Sequence, residues 1–229
     1  VEGYAVLQPR VTPPLPDPEG STFQRMCSGA SGIDPYAAAV SDVYQDLFGE
    51  GSYTGKGIYD VDAFEEALEA RVPDDTLLSH DLFEGLFARA GLVTDVEVVD
   101  DYPSSVLAHA RRQHRWTRGD FQILGWLLPL VPTRAGWARN RLPLISRWKI
   151  FDNLRRAQQA PAAVALLLLG WTVLPGSAAI WTAAVVAAIA FPLFPLALAA
   201  LSGPRPHQPV WAFLRELWEE LTGTAVRIL

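Results

Sequence analysis

The sequence predicts an α/β domain followed by a pair of membrane-length helices. Three observations carry this. Strand, helix and loop patterns alternate through residues 1–120, a basic helix closes that part, and the 48 residues 157–204 contain no Asp, Glu, Lys, Arg or His. A chain of 229 residues exceeds a typical single-domain length, so one globular part and one membrane part is the division expected.

Taken in order, Val1 to Gln8 reads as a strand already inside a domain, which suggests a piece of something longer. Pro9 to Pro18 then holds five prolines in ten residues, expected to give an irregular loop because proline donates no amide hydrogen bond. Gly49 to Gly57 places four glycines in nine positions around Lys56, letting the backbone turn tightly and approach a ligand. A phosphate cradle and a plain loop are equally open readings of it. Asp62-Ala63-Phe64-Glu65 has capping-box spacing and opens a helix to about Ala70. A second helix is expected over Asp81–Ala90, with Leu82, Leu86 and Ala90 on one side and Gly91 as its C-cap. Leu92–Val99 alternates like a strand, and Tyr102–Ser105 leads into a basic helix running to about Arg118.

Beyond it, residues 121–156 are expected to form a basic and apolar segment that lies in a membrane interface or packs under the soluble domain. The uncharged run is long enough for two crossings, 157–174 and 178–201, divided by Pro175-Gly176-Ser177. Arg147, Lys149, Arg155 and Arg156 precede it and Arg205 follows it, so the positive-inside bias predicts a hairpin with both ends in the cytoplasm. A buried pair of soluble helices is the other reading, disfavoured by so long a stretch without charge. Residues 205–229 hold an amphipathic helix with Trp211, Leu214 and Trp218 on one side.

Charge is unevenly spread. Residues 1–105 carry 20 acidic against 5 basic side chains, residues 106–156 carry 2 against 11, and residues 157–229 carry 3 against 3. An acidic front half with a short basic block beside an apolar run argues against nucleic acid and for anionic headgroups or a phosphorylated substrate. One cysteine, Cys27, permits no internal disulfide, which is compatible with a reducing cytoplasm.

The chemistry-bearing residues lie in two places. In the basic helix, Arg111, Arg115 and Arg118 are spaced i, i+4, i+7, while Arg112 and Trp116 form an i, i+4 pair on an adjoining face. Arginine's planar fork suits a diphosphate, and tryptophan's flat apolar face suits a sugar ring. A plain juxtamembrane helix meeting lipid is the competing explanation. About 30 residues earlier, Ser79-His80-Asp81 supplies an acid at a predicted helix start, where it is either a cap or a general base.

These residues carry a family resemblance. Gly32–Tyr36, Ser41–Gly51, Gly55–Asp62, Ser79–Leu82, Arg115–Asp120 and Ser146–Arg156 resemble the glycosyltransferase module of bacterial cyclic β-1,2-glucan synthases, itself similar to cellulose-synthase-like processive transferases. The resemblance runs through nearly the whole chain. It implies the C-terminal half of a GT-A-like domain over residues 1–120, with UDP-glucose as donor, a growing glucan as acceptor and inversion at the transferred carbon. It also implies a multi-pass protein of the bacterial inner membrane with its soluble part cytoplasmic.

By the same resemblance Asp81 closes a Thr-Glu-Asp-type motif, written Ser-His-Asp here, and is the catalytic base, with His80 and Lys56 as substrate contacts. Arg115 and Trp116 match the end of a Gln-x-x-Arg-Trp motif whose Gln position is Arg112 in this chain. The family's divalent metal, Mg2+ or Mn2+, sits at an Asp-x-Asp expected in the half preceding Val1. The local Asp60-Val61-Asp62 reads better as a helix cap. The isolated chain is accordingly expected to be inactive without that missing half. A β-1,4 or β-1,3 glycan synthase, or a non-catalytic membrane anchor, remains open.

Overall fold

The computed structural model describes residues 3–12, 14, 19–27, 42–77 and 80–228. The resemblance stretch Gly32–Tyr36, with Ser41 and Ser79, lies outside them. The chain is a mixed α/β protein followed by helices. Its strands are β1 (Val6–Thr12), β2 (Ile58–Tyr59), β3 (Ala90–Val99), β4 (Leu130–Thr133) and β5 (Gly136–Arg139). The helices of the first part are α1 (Thr22–Cys27), α2 (Val43–Phe48), α3 (Val61–Leu68), α4 (Asp81–Ala88), α5 (Val106–Gln122) and α6 (Leu144–Ala157). Then come α7 (Gln159–Thr172), α8 (Ala178–Ala190), α9 (Phe194–Ser202) and α10 (Val210–Ile228).

β1 is the centre of a three-stranded sheet, antiparallel to β2 and parallel to β3. It runs through Pro9, where an irregular loop was expected. The register jumps at that residue, from Pro9 opposite Val93 to Arg10 opposite Glu97. A proline with no amide to donate is tolerated at such an irregularity. Beyond it Arg10 and Thr12 both bond the Glu97 carboxylate, at 2.6 and 2.5 Å, and these two donors hold its pKa down.

Two apolar clusters support the site. Leu82, Phe83 and Leu86 of α4 pack with Ile123, Trp126, Val131, Leu142 and Ile150, and the Phe83 and Trp126 rings meet edge to face at 4.7 Å. Ala5, Val6, Tyr53, Ala67, Ala88 and Ala90 form the second, under the sheet. The stretch after α5 thus reaches the core of the α/β part, turning through a 3-10 turn at Leu124–Leu127 into the β4–β5 hairpin.

Four helix boundaries differ from the sequence reading. Asp60, not Asp62, caps α3, accepting from the Ala63 amide at 2.9 Å. His80 caps α4, its Nδ1 accepting from the Phe83 amide, and Glu84 accepts from the His80 amide. Gly91 is not a C-cap but a β3 residue, and a side chain there would strike the Tyr4 ring. α5 runs one turn past Arg118, capped by Ser105 at the Ala108 amide.

The basic flank is also differently used. Lys149 is 1% exposed, and Arg155 and Arg156, though partly in solvent, both bind Asp152 at 2.7 Å, so these charges are engaged by partners within the protein. α7 and α8 pack against one another: the Trp171 indole donates to Thr182 Oγ1 at 2.9 Å, and Gly170 lies where any side chain would strike Trp181. Among the described residues one helix, Ala178–Ser202 read through the 3-10 turn at Phe191–Leu193, is long and apolar enough to cross a membrane; α7, at 14 residues, is shorter. Trp211, Leu214 and Trp218 of α10 are exposed.

Candidate active site

The site forms where the loop 49–57, the start of α4 and the end of α5 meet. The loop is tied down from β1: the buried Gln8 amide donates to Ser52 O at 2.9 Å, and its oxygen accepts from the Thr54 amide at 2.5 Å. Gly51 donates to Ala90 O at 2.7 Å. These bonds set the loop across the N-terminal part of the parallel strands β1 and β3 and onto α4. There Gly55, at φ +84°, lies flat against the Asp81 carboxylate: a Cβ on Gly55 would fall 2.5 Å from Asp81 Oδ2. Only glycine permits both that backbone conformation and that approach.

Asp81 occupies the first position of α4, where the helix dipole favours a carboxylate. The capping duty falls to His80. Among the described residues the Asp81 side chain takes no hydrogen bond and no ion pair. It does act on Tyr53, whose buried phenol has its pKa pushed up first by burial and then by the Asp81 charge. The sequence left Asp81 open between cap and base; the geometry removes the first role and leaves the carboxylate unspent.

α5 reaches this point at its C-terminal end. Gly119 sits against the His80 ring, where a Cβ would lie 3.0 Å from His80 Cδ2, and Asp120 Oδ1 is 3.4 Å from His80 Nε2. Asn153 of α6 donates to the same Asp120 oxygen at 3.3 Å. At 100° per residue, the face that carries Gly119 and Asp120 also carries Arg112 and Trp116, with Arg115 at its edge and Arg111 and Arg118 turned away.

Arg112 lies over the Trp116 ring at 4.9 Å and the Tyr102 ring at 5.4 Å, with its Nε buried and without a hydrogen-bond partner among the described residues. Trp116 itself is 40% exposed, as a ring that meets a ligand must be. His109 stacks on Tyr102 at 5.6 Å, and burial followed by the Arg112 charge pushes its pKa down. Arg115 is exposed and, among the described residues, in no ion pair.

Lys56 stands between Gly55 and Gly57 but is committed to Asp100 at the end of β3, 2.9 Å away. Gly57's own close approach is to the Leu7 carbonyl, a strand contact. An open cleft of about 700 Å³ lies beyond Glu84, lined by Asp62, Glu65, Glu66, Glu69 and Glu84 against Arg134. Five carboxylates against one guanidinium repel a diphosphate, so the cleft is no donor site. Among the described residues no group of three or more His, Cys, Asp or Glu side chains can hold a metal ion.

The residues that sequence reasoning passed over are Asp120, Gly55 as the partner of Asp81, Asn153 and Lys149. Asp120 stands inside the Arg115–Asp120 motif, but nothing in its spacing shows His80, 40 positions earlier, as its neighbour.

No protein-family model matches the chain. The chain is 46% identical over 211 residues to the cyclic beta-(1,2)-glucan synthase NdvB of Rhizobium meliloti (strain 1021), a match covering 91% of this chain and 7% of that protein. Identity of that degree, running through nearly the whole chain, makes it a module of the cyclic β-(1,2)-glucan synthase family.

Proposed function

We propose that this module supplies the base side of a membrane-bound glucosyltransferase site that extends a β-1,2-glucan from UDP-glucose with inversion. The observation that carries the reading is Asp81: a carboxylate at a helix start, relieved of capping by His80, free of described partners and faced by the bare backbone of Gly55. The resemblance of its motif and the 46% identity to a glucan synthase point the same way.

In this reading Asp81 accepts the proton of the attacking sugar hydroxyl. That oxygen bonds to C1 of the α-linked donor as the bond from C1 to the phosphate oxygen breaks, UDP leaves with the electron pair, and the product is the β-anomer. A positioned base is worth about two to four orders of magnitude in rate. Trp116 covers the apolar face of the acceptor ring, while Arg115 and the exposed part of Arg112 face the diphosphate. Lys56, paired with Asp100, contributes by holding the loop in place more than by binding phosphate.

A divalent ion, where one is used, would neutralise leaving-group charge. The described residues do not fit such an ion, since Asp60 is spent on the α3 cap and no group of three or more acidic, histidine or cysteine side chains among them is placed to hold one; no step here depends on it. In this reading that site, and the GT-A-like donor half, would lie outside this chain. The apolar helices would anchor the module in the bacterial inner membrane with the α/β part in the cytoplasm, and α10 would lie at the interface.

Membranes bearing the full-length protein and supplied with labelled UDP-glucose are expected to form β-1,2-linked glucan. Linkage analysis returning β-1,4 or β-1,3 product, or transfer from a different nucleotide sugar, would replace this reading of donor and product.

A further inference from the structure

A buried lysine that the chemistry above does not use lies directly beneath the loop that faces the base. Lys149 of α6 is 1% exposed. Its ammonium donates to Gly51 O at 3.1 Å and Glu50 O at 3.4 Å, lies 3.6 Å from Glu50 Oε1, and sits 4.8 Å from the centre of the Tyr44 ring. Burial pushes its pKa down, and the Glu50 and Asp42 carboxylates oppose that shift. A charge so placed is costly unless its partners are fixed, and here the partners are the backbone of the loop itself.

The other anchors of residues 50–54 come from beside them, namely Gln8 and Ala90 of the sheet, Arg89 at 3.8 Å from Glu50 Oε2 and the packing of Tyr53 against Gly85 of α4. Lys149 reaches in from 98 residues away. Four residues on, and so on the same helical face, Asn153 bonds Asp120, the neighbour of His80. One face of α6 therefore braces both walls beside Asp81, the glycine loop on one side and the α5 end on the other. Past Gln158 the same helix leads into the apolar α7.

We propose that Lys149 is a positioning residue for the transferase reaction, holding the 50–55 loop so that Gly55 keeps Asp81 aimed at the acceptor from the helix that enters the apolar segment. The inference rests on the reading of Asp81 as the base. It differs from a purely structural role because the lysine acts through one loop on one carboxylate. Loss of such aim costs turnover more than binding, and a shift of about 1 Å is enough for about a hundredfold.

The test is a cycle in the full-length protein in membranes, combining Lys149→Met with Asp81→Asn and scoring glucan synthesis per UDP-binding site. Lys149→Met alone is expected to lower kcat by about 10- to 100-fold with the UDP-glucose KM within about twofold. Added to Asp81→Asn it is expected to cause less than about a twofold further loss, because coupled residues are not additive. Equal losses in both backgrounds, or a rise in KM with kcat unchanged, would overturn the inference while leaving the base assignment standing. Near-normal synthesis by Asp81→Asn alone would instead remove the base assignment. Lys149→Gln, which keeps a donor for the carbonyls, is run beside it and is expected to recover part of the lost kcat. Failure of both variants to accumulate would assign Lys149 to folding alone and overturn the inference.

Discussion

At the scale of single residues, what decides the site is which charges are already engaged. Asp81 was legible in the sequence as an acid at a helix start, but its freedom was not, because that depends on His80 capping α4 through its ring. Lys149 was misread as a membrane-flanking charge. Nothing near it in sequence shows that the Glu50 and Gly51 carbonyls wait on the far side of the fold. The arginines divide in the same way. Arg134 is bound to Asp74 at 2.8 Å, whereas Arg115 has no described ion-pair partner and stands at the edge of the face that meets His80. Arg115→Ala in the full-length protein is expected to raise the UDP-glucose KM by about tenfold, the worth of one charged hydrogen bond. Arg134→Ala is expected to stay within about twofold, since an exposed ion pair contributes little. Steady-state kinetics on both variants check this, and equal losses would make the basic cluster a general surface.

Among the elements, those set by local pattern were read nearly correctly, and those set by distant contacts were not. α5 follows from Ser105 as a cap and a run of good helix formers, and β3 follows from its alternation. β1 continues through Pro9 because β3 offers it a parallel partner, a fact that no local propensity contains. The β4–β5 hairpin was missed for the same reason: Pro132 lies inside a strand, and the tight turn rests on Gly136 at φ +107°. What locks these pieces to the site is the contact of Phe83 with Trp126. Trp126, 2% exposed, joins the end of α5 to α4, so Trp126→Ala is expected to cost about 3–5 kcal/mol. Thermal unfolding of the detergent-solubilised protein would show it, and an unchanged midpoint would mean that the two helices are held elsewhere.

For the whole molecule, the mixed α/β part was legible from the alternation of strand and helix patterns, and the apolar helices behind it from the uncharged run. The precise use of the apolar run was not. α7 spans about 21 Å at 1.5 Å per residue, short of a hydrocarbon core of about 30 Å, and only by continuing from α6 through Gln158 does it gain length. The Gly170–Trp181 contact nonetheless holds α7 against α8, and the proposed membrane hairpin would put the two ends of the pair on one side. Cysteines placed at the exposed positions Arg141 and Arg205 are expected to react with an impermeant reagent from the same face of sealed vesicles. Labelling from opposite faces would contradict the hairpin.

The central claim is that Asp81 removes the acceptor proton, and the direct measurement is glucan synthesis by Asp81→Asn in the full-length protein at matched UDP binding. The amide keeps the shape that Gly55 packs against but removes the basic oxygen. Unchanged UDP affinity with turnover lower by about two to four orders of magnitude is the result expected. Near-normal turnover would contradict the assignment and return Asp81 to a favourable charge at the start of α4.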